Sequence, residues 1–257
     1  MKFIILMIFA RIGEAQNPGP FTIGAANPTG VLGKAHLFQE MPGQDGPRIW
    51  GLSETHLTKP GLQKFQVELH QQQDRWKFIP GEVAPPLSNA VGTIGGRATG
   101  VGILTDCPAR PLAGQWPSKD WKTARVQACA IHLQQNWVKA GVFYGFAKDA
   151  HTKATKEQSD ILLSNLTDRI VFASRGYRVL MGDFNQTTQD LPQFDIWRQH
   201  GFREIQEIAL HKWHQEILPT CKNKSVKDHV WISPELIDLL ISVKVDNTVF
   251  APQFSWI

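Results

Sequence analysis

Val179-Leu-Met-Gly-Asp-Phe-Asn185 is an apolar run that stops abruptly in a carboxylate and an amide. Side chains two residues apart on an extended chain fall on the same face, so Asp183 and Asn185 are expected side by side at a strand end. There a carboxylate can take a proton from water while the neighbouring amide holds a phosphate oxygen. Gly, Asp and Asn also build ordinary turns, and the heptapeptide alone suits either use.

Working outward, two earlier segments have the same form. Phe21 to Ala26 is short and apolar and ends in Asn27-Pro28-Thr29-Gly30, a strand running into a turn. Arg48-Ile-Trp-Gly-Leu52 is followed by Ser53-Glu54-Thr55-His56, which puts a second acid, Glu54, at a strand end. A Mg²⁺ ion is held by only one or two protein carboxylates, with water and phosphate in its other positions, so a single Glu suffices; taken alone, Glu54 also suits a solvated or capping acid. Gly100 to Thr105, Ala124 to Leu133 and Trp137 to Tyr144 are three successive β candidates and suggest an antiparallel meander. Thr155 to Phe172 carries apolar residues at helical spacing, a helix is expected at Leu191 to His200, and Asp228 to Ile232 reads as a short strand before the apolar stretch Leu236 to Val245. The Gly-, Pro-, Ser- and Asn-rich stretch from Pro80 to Gly100 reads as a surface loop. Alternating strands and helices with polar residues at strand ends define an α+β or α/β class.

Composition narrows the alternatives. With 42% apolar and 19% charged residues, the 257-residue chain has ample core material and is no disordered tail. The net charge of +4 and the pI near 9.0 suit a polyanionic partner, although the basic residues form no run. Cys107, Cys129 and Cys221 are far apart, which argues against a zinc site or a disulfide framework. The start, MKFIILMIFA, is too short to span a bilayer, which takes roughly 20 residues. Lys2 ahead of an apolar run is signal-like, but no A-x-A-like cleavage site follows. Residues 1–20 are therefore expected to be a peripheral lead and linker (GEAQNPGP) before a domain over 21–257, in a nuclear or cytoplasmic rather than secreted protein with no stable membrane association. The sequons at Asn165, Asn185 and Asn223 matter only for a secreted chain.

Taken in this order, the segments resemble the endonuclease/exonuclease/phosphatase superfamily, which includes abasic-site endonucleases, DNase I-like nucleases and the endonuclease domains of non-LTR retrotransposons. The resemblance runs from about Thr22 to about Val249. Asn27 matches the Asn that ends the family's first strand, and Glu54 in Ser-Glu-Thr-His-Leu matches its metal-binding Glu. Gly100-Val-Gly-Ile-Leu resembles its central strand, Tyr144 falls where a phosphate-contacting Tyr is expected, and Gly182-Asp-Phe-Asn is its most specific motif. Asp228 in Asp-His-Val-Trp-Ile-Ser is similar to the strand whose Asp orients a catalytic His. The GEAQNPGP lead and the His151-Thr152 segment look most like retroelement-derived proteins of dinoflagellates.

The resemblance implies a four-layer sandwich, two stacked mixed sheets flanked by helices, acting as a Mg²⁺- or Mn²⁺-dependent nucleic-acid endonuclease on DNA rather than RNA. It implies Glu54 and Asn27 as metal ligands, and Asp183, Asn185, Asp228 and Tyr144 as catalytic residues, all on one pocket. A phosphatase or lipid phosphodiesterase of the same superfamily, and a nucleic-acid-binding remnant without activity, are the alternatives. Three departures stand out. Pro28 and Thr29 occupy the place where the family often has an acid after the Asn. Tyr144-Gly-Phe-Ala replaces the usual Tyr with Pro and Asn close behind. Residues 247–257 contain no Asp-His pair where a Ser-Asp-His element belongs, so impaired turnover is expected. His229 adjoins Asp228 but should face the opposite side of the strand and be structural. His56, two residues beyond Glu54, is a candidate to support it and ranks below it.

Overall fold

The computed structural model describes residues 2–9, 20–38, 46–72, 75–83, 99–112, 124–133, 136–146, 153–173, 176–187, 191–220 and 225–246. Twelve strands among them form two six-stranded sheets. In the first, β1 (Lys2–Phe9), β2 (Pro20–Asn27), β3 (Arg48–Ser53), β4 (Lys77–Pro80), β5 (Val101–Thr105) and β12 (Leu240–Asp246) lie in the order β12-β1-β2-β3-β5-β4. In the second, β6 (Ala109–Pro111), β7 (Val126–Leu133), β8 (Asn136–Tyr144), β9 (Tyr177–Asp183), β10 (Arg203–Glu204) and β11 (Asp228–Ile232) lie in the order β10-β11-β9-β8-β7-β6. Each sheet is antiparallel except for one pair, β2 with β3 and β8 with β9. The β8-to-β9 crossover is made by α2 (Lys153–Leu166) and a π turn at Thr167–Val171, as a parallel pair requires a long connection.

The strands read as near-continuous apolar runs because both of their faces are covered. One face of each sheet meets the other sheet, where Ile23, Ile49, Val142, Met181 and Val230 belong to one buried cluster. The outer face of the first sheet carries α1 (Lys59–Gln72), with Phe65 and Leu69 buried against Trp50 and Leu52. The outer face of the second carries α2 and α3 (Pro192–Gln199), with Leu163, Phe194 and Trp197 buried against Phe143, Leu180 and Trp231. This is the four-layer sandwich that the sequence predicts. α4 (Ile205–Trp213) packs Ile205, Ile208 and Ala209 into the intersheet cluster beside Leu240 and Val243 of β12, and α5 (Pro234–Ile237) is a single turn. Among the described residues no helix is long and apolar enough to cross a membrane.

Two expectations change, and one helix goes unforeseen. The meander does not exist as one unit: β7 and β8 form a hairpin, but β5 pairs with β3 and β4 in the other sheet, because Gly-Val-Gly-Ile-Leu is equally suited to either sheet and the short link over residues 106–108 carries the chain across to β6 in the second. The helix α1 escapes the apolar pattern because only Phe65 and Leu69 anchor it firmly, yet its start is marked by Thr58, whose hydroxyl accepts from the Gly61 amide at 3.3 Å, and by Pro60. The apolar start is no peripheral lead. Residues Lys2–Phe9 pair with β2 along their whole length on one side and with β12 on the other, so β1 is an interior strand. An eight-residue apolar run is too short for a membrane but of ordinary length for a buried strand, and backbone pairing on both edges decides its place. The GEAQNPGP linker before Pro20, the 84–98 portion of the Pro80-to-Gly100 loop, His151-Thr152, Cys221 and the 247–257 window lie outside the described residues.

Removing residues 2–9 would leave β2 with an unpaired edge and β12 without its partner strand. The deletion is expected to abolish the cooperative thermal transition or lower its midpoint by at least about 10 °C, the shift for a loss of several kcal/mol in a chain of this size. Differential scanning calorimetry checks this, and an unchanged midpoint would return the strand to the periphery.

Candidate active site

The alternation of side chains along the strands assembles one rim. On β2 the inward row is Phe21, Ile23, Ala25 and then Asn27; on β8 it is Val138, Ala140, Val142 and then Tyr144; on β9 it is Val179, Met181 and then Asp183. β3 contributes Ile49, Gly51 and then Ser53, and β11, running oppositely, begins its row at Asp228 before Val230 and Ile232. Register brings the ends together, since Asp183 lies opposite both Tyr144 and Asp228. Each row is apolar until it reaches the same edge of the sandwich and then turns polar.

Hydrogen bonds tie the row ends to one another. Asn27 Nδ2 donates to Asp183 Oδ2 at 3.0 Å across the two sheets, and the Asp183 amide donates to Ser53 Oγ at 3.2 Å. Asn185 N donates to Asp183 Oδ1 at 2.9 Å, and Asn185 Nδ2 donates to the Gly145 carbonyl at 3.0 Å. Glu54 is aimed at the rim by its left-handed backbone, φ 53°, which turns the chain just past Ser53. The Tyr144 hydroxyl donates to its Oε1, and Thr29 Oγ1 lies 3.4 Å from its Oε2. The Thr29 amide donates in turn to Asn27 Oδ1 at 3.1 Å. Asn27, Glu54, Tyr144, Asp183 and Asn185 thus form one connected network, with Asp228 beside it on the neighbouring strand.

Backbone strain concentrates here. Five non-glycine residues among those described have positive φ, and four of them, Thr29, Glu54, His56 and Asn185, belong to the loops of this rim. The Gly of the Gly-Asp-Phe-Asn motif is required by both angle and space: Gly182 has φ 140°, and a β-carbon there would sit 2.0 Å from the Phe143 carbonyl oxygen.

Burial raises the Asp183 carboxyl above the ordinary range; the bonds from Asn27 and Asn185 work against that, and the Glu54 charge adds to it. Burial also raises the Tyr144 phenol, reinforced by its bond to Glu54, so Tyr144 remains a donor. His56 is pushed down by burial, only partly offset by Glu54.

The donor set is oxygen-rich and contains no thiol or imidazole turned into it, which suits a hard, largely hydrated cation held by Glu54 and the Asn27 amide oxygen. Among the described residues no group of three or more His, Cys, Asp and Glu gathers as a cage.

Four participants lie outside the expected set: Thr29, Ser53, Lys34 and Arg125. Lys34 Nζ donates to the Pro28 carbonyl at 2.6 Å and so braces the Asn27 loop. Arg125, 8% exposed, places its guanidinium 4.6 Å over the Tyr144 ring and donates to the Tyr144 and Gly145 carbonyls at 3.2 and 2.9 Å. Ser53 was within reach of sequence analysis as the end of an inward row, and Arg125 as the lone cation opening a buried strand. His229 falls as alternation predicts, 1% exposed on the face opposite Asp228.

No family model and no curated protein matches the chain. Solved structures do. A 3'-5' exonuclease (NExo) from Neisseria meningitidis is 17% identical, with 87% of this chain and 91% of that chain covered and a TM-score of 0.63. An AP endonuclease from Archaeoglobus fulgidus is 14% identical over 84% and 88% of the two chains, with a TM-score of 0.57. The endonuclease domain of TRAS1, a telomere-specific non-LTR retrotransposon, is 14% identical over 89% and 92%, with a TM-score of 0.51. The Neisseria enzyme, described as a 3' phosphatase, also matches in a structure bound to a product DNA hairpin, 17% identical over 87% and 91%, with a TM-score of 0.61. The chain therefore shares the DNase I-like sandwich fold of these structures.

A raised carboxyl has a definite stability signature. Asp183 ionises less readily in the folded chain than in the unfolded one, so its contribution to stability falls as pH rises from about 4 and levels off above its folded pKa. In urea denaturation from pH 4 to 8 with EDTA, the stability of the wild type minus that of Asp183→Asn should decline over that window. A flat difference would show that Asp183 is not buried at cost.

Proposed function

We propose that this chain is a divalent-metal-dependent phosphodiesterase of retroelement origin that cleaves nucleic acid, DNA rather than RNA. The observation that carries the proposal is the single rim at which Asn27, Glu54, Tyr144, Asp183 and Asn185 are joined by hydrogen bonds, with Asp228 opposite Asp183 on the neighbouring strand. The DNA hairpin in the Neisseria enzyme and the net charge of +4 support a nucleic-acid partner.

In this proposal Glu54 and Asn27 hold a Mg²⁺ or Mn²⁺ ion. When bound, the ion supplies Lewis-acid polarisation of a phosphate oxygen and neutralises charge developing there. Asp183, whose carboxyl is biased toward holding a proton, accepts one from the attacking water, and the Asn27 and Asn185 bonds orient it for that transfer. Tyr144 holds Glu54 in place, and Asn185 has a second amide hydrogen to offer a phosphate oxygen once the first is committed to Gly145. Asp228 stands on the neighbouring strand as a further carboxylate in the pocket.

Among the described residues, neither His229 nor His56 is placed to meet a phosphate: His229 faces the other side, and His56 Nε2 is sealed from solvent. Slow turnover with retained binding is expected. Purified 257-residue chain should bind DNA at low salt and nick supercoiled plasmid slowly with Mg²⁺ or Mn²⁺ and not with EDTA. Asp183→Ala should lower the nicking rate by about 100-fold or more while leaving DNA binding in place. Binding without any nicking would favour the non-catalytic alternative, and robust nicking untouched by Asp183→Ala or Glu54→Gln would overturn the assignment.

A further inference from the structure

On the face of β9 and β11 turned away from the rim, three polar residues are sealed inside an aromatic layer: His229 at 1%, Glu204 at 2% and Gln186 at 3% exposure. His229 lies opposite Gly182 in the strand register, and its ring is flanked by Phe184 at 5.6 Å and Phe194 at 5.9 Å. A phenylalanine would fill that place without the cost of desolvating an imidazole, so a polar residue there calls for a polar role. Its contacts define one. Nε2 lies 3.2 Å from the Gln186 carbonyl oxygen, and because a carbonyl only accepts, Nε2 carries the hydrogen. Nδ1 faces Glu204 Oε1 at 3.8 Å, beyond hydrogen-bond reach and an ion pair only when the ring is protonated, and neither atom has a hydrogen-bond partner among the described residues. Glu204 is itself anchored, its Oε2 accepting from the Gln206 and Glu207 amides at 2.8 and 3.1 Å as the cap of α4.

The line therefore runs from the start of α4, through His229, to the carbonyl of Gln186, the residue directly after Asn185. Asn185 is held at φ 53°, a conformation that a non-glycine residue keeps only when its surroundings over-determine it. On the other side of the same turn, the Phe184 amide donates to the Lys227 carbonyl at 2.7 Å, so β11 grips the turn by its backbone as well as by the His229 side chain.

We propose that His229 is a positioning residue that fixes the Phe184–Gln186 turn through its bond to the Gln186 carbonyl and thereby sets Asp183 and Asn185. The consequence for catalysis rests on the nuclease assignment; the strut itself does not.

Amide hydrogen exchange by NMR tests it without any turnover, because the Asn185 amide, which donates to Asp183 Oδ1 at 2.9 Å, reports the turn. His229→Phe keeps a ring in the aromatic layer. Its strand amides at Leu180 and Met181 should stay as protected as in the wild type, while exchange at Asn185 quickens about 10-fold, as expected for the loss of one buried hydrogen bond. His229→Gln, whose amide can reach the Gln186 carbonyl, should restore slow exchange at Asn185. His229→Asn, which can reach Glu204 but not Gln186, should not, and this pair decides the matter if the Phe variant fails to fold. Unchanged Asn185 exchange in the Phe variant, or equal behaviour of the Gln and Asn variants, would overturn the strut and leave the nuclease assignment standing. The expected exchange pattern in a chain that neither binds nor nicks DNA would overturn the nuclease assignment and leave the strut standing.

Discussion

The two sheets approach closely at Gly51, where a β-carbon would lie 2.6 Å from Met181 Cγ and 2.9 Å from Val142 Cγ2. Any side chain there would push the layers apart, and much else depends on that distance. Only when the sheets lie this close can Asn27 of one reach Asp183 of the other at 3.0 Å, or the Asp183 amide reach Ser53 at 3.2 Å. Intersheet packing and site geometry are thus the same constraint seen at two depths: the inward rows are apolar where they are enclosed and polar where the sandwich opens.

At the rim, the chain gives up relaxed backbone for placement. Thr29, Glu54 and Asn185 each adopt a left-handed conformation that a short loop elsewhere would avoid, and the hydrogen bonds of the network hold them in it. The Gly30 amide donates to the Glu54 carbonyl at 2.7 Å and the Thr55 amide to the Gly100 carbonyl at 3.0 Å, so the three loops brace one another. A group held by several elements is preorganised, and preorganised oxygens can meet a hydrated cation or a phosphate with little rearrangement.

Electrostatically the rim is a carboxylate cluster with cations set behind it. Glu54 raises the proton affinity of Asp183, Arg125 stacks beneath Tyr144, and Lys34 braces the carbonyls of the Asn27 loop. These cations are committed to ring faces and carbonyls, so they temper the negative charge of the cluster without closing it to a positive ion.

The period-two alternation of strands and the abrupt ends at Asn27, Glu54 and Asp183 were legible in the sequence, because a buried strand has no local reason to finish in a polar side chain. So was the placement of His229 away from Asp228, which follows from geometry between adjacent residues. Helix α3 and strand β11 were equally plain, being short segments with strong local patterns. What distant parts of the chain do to each other could not be read this way. Lys2–Phe9 looked like a detachable lead since nothing local distinguishes an apolar run that ends a chain from one that enters the middle of a sheet; only pairing with β2 and with β12, more than two hundred residues further on, decides it. The change of sheet after β5, the closeness of Arg125 to Tyr144 and the meeting of His229 with the Gln186 carbonyl are likewise properties of packing in three dimensions. Sequence alone determined which residues were suited to chemistry, through local periodicity and side-chain type, and tertiary structure decided which of them meet, because nonlocal contacts are set by the closing of the two sheets on each other.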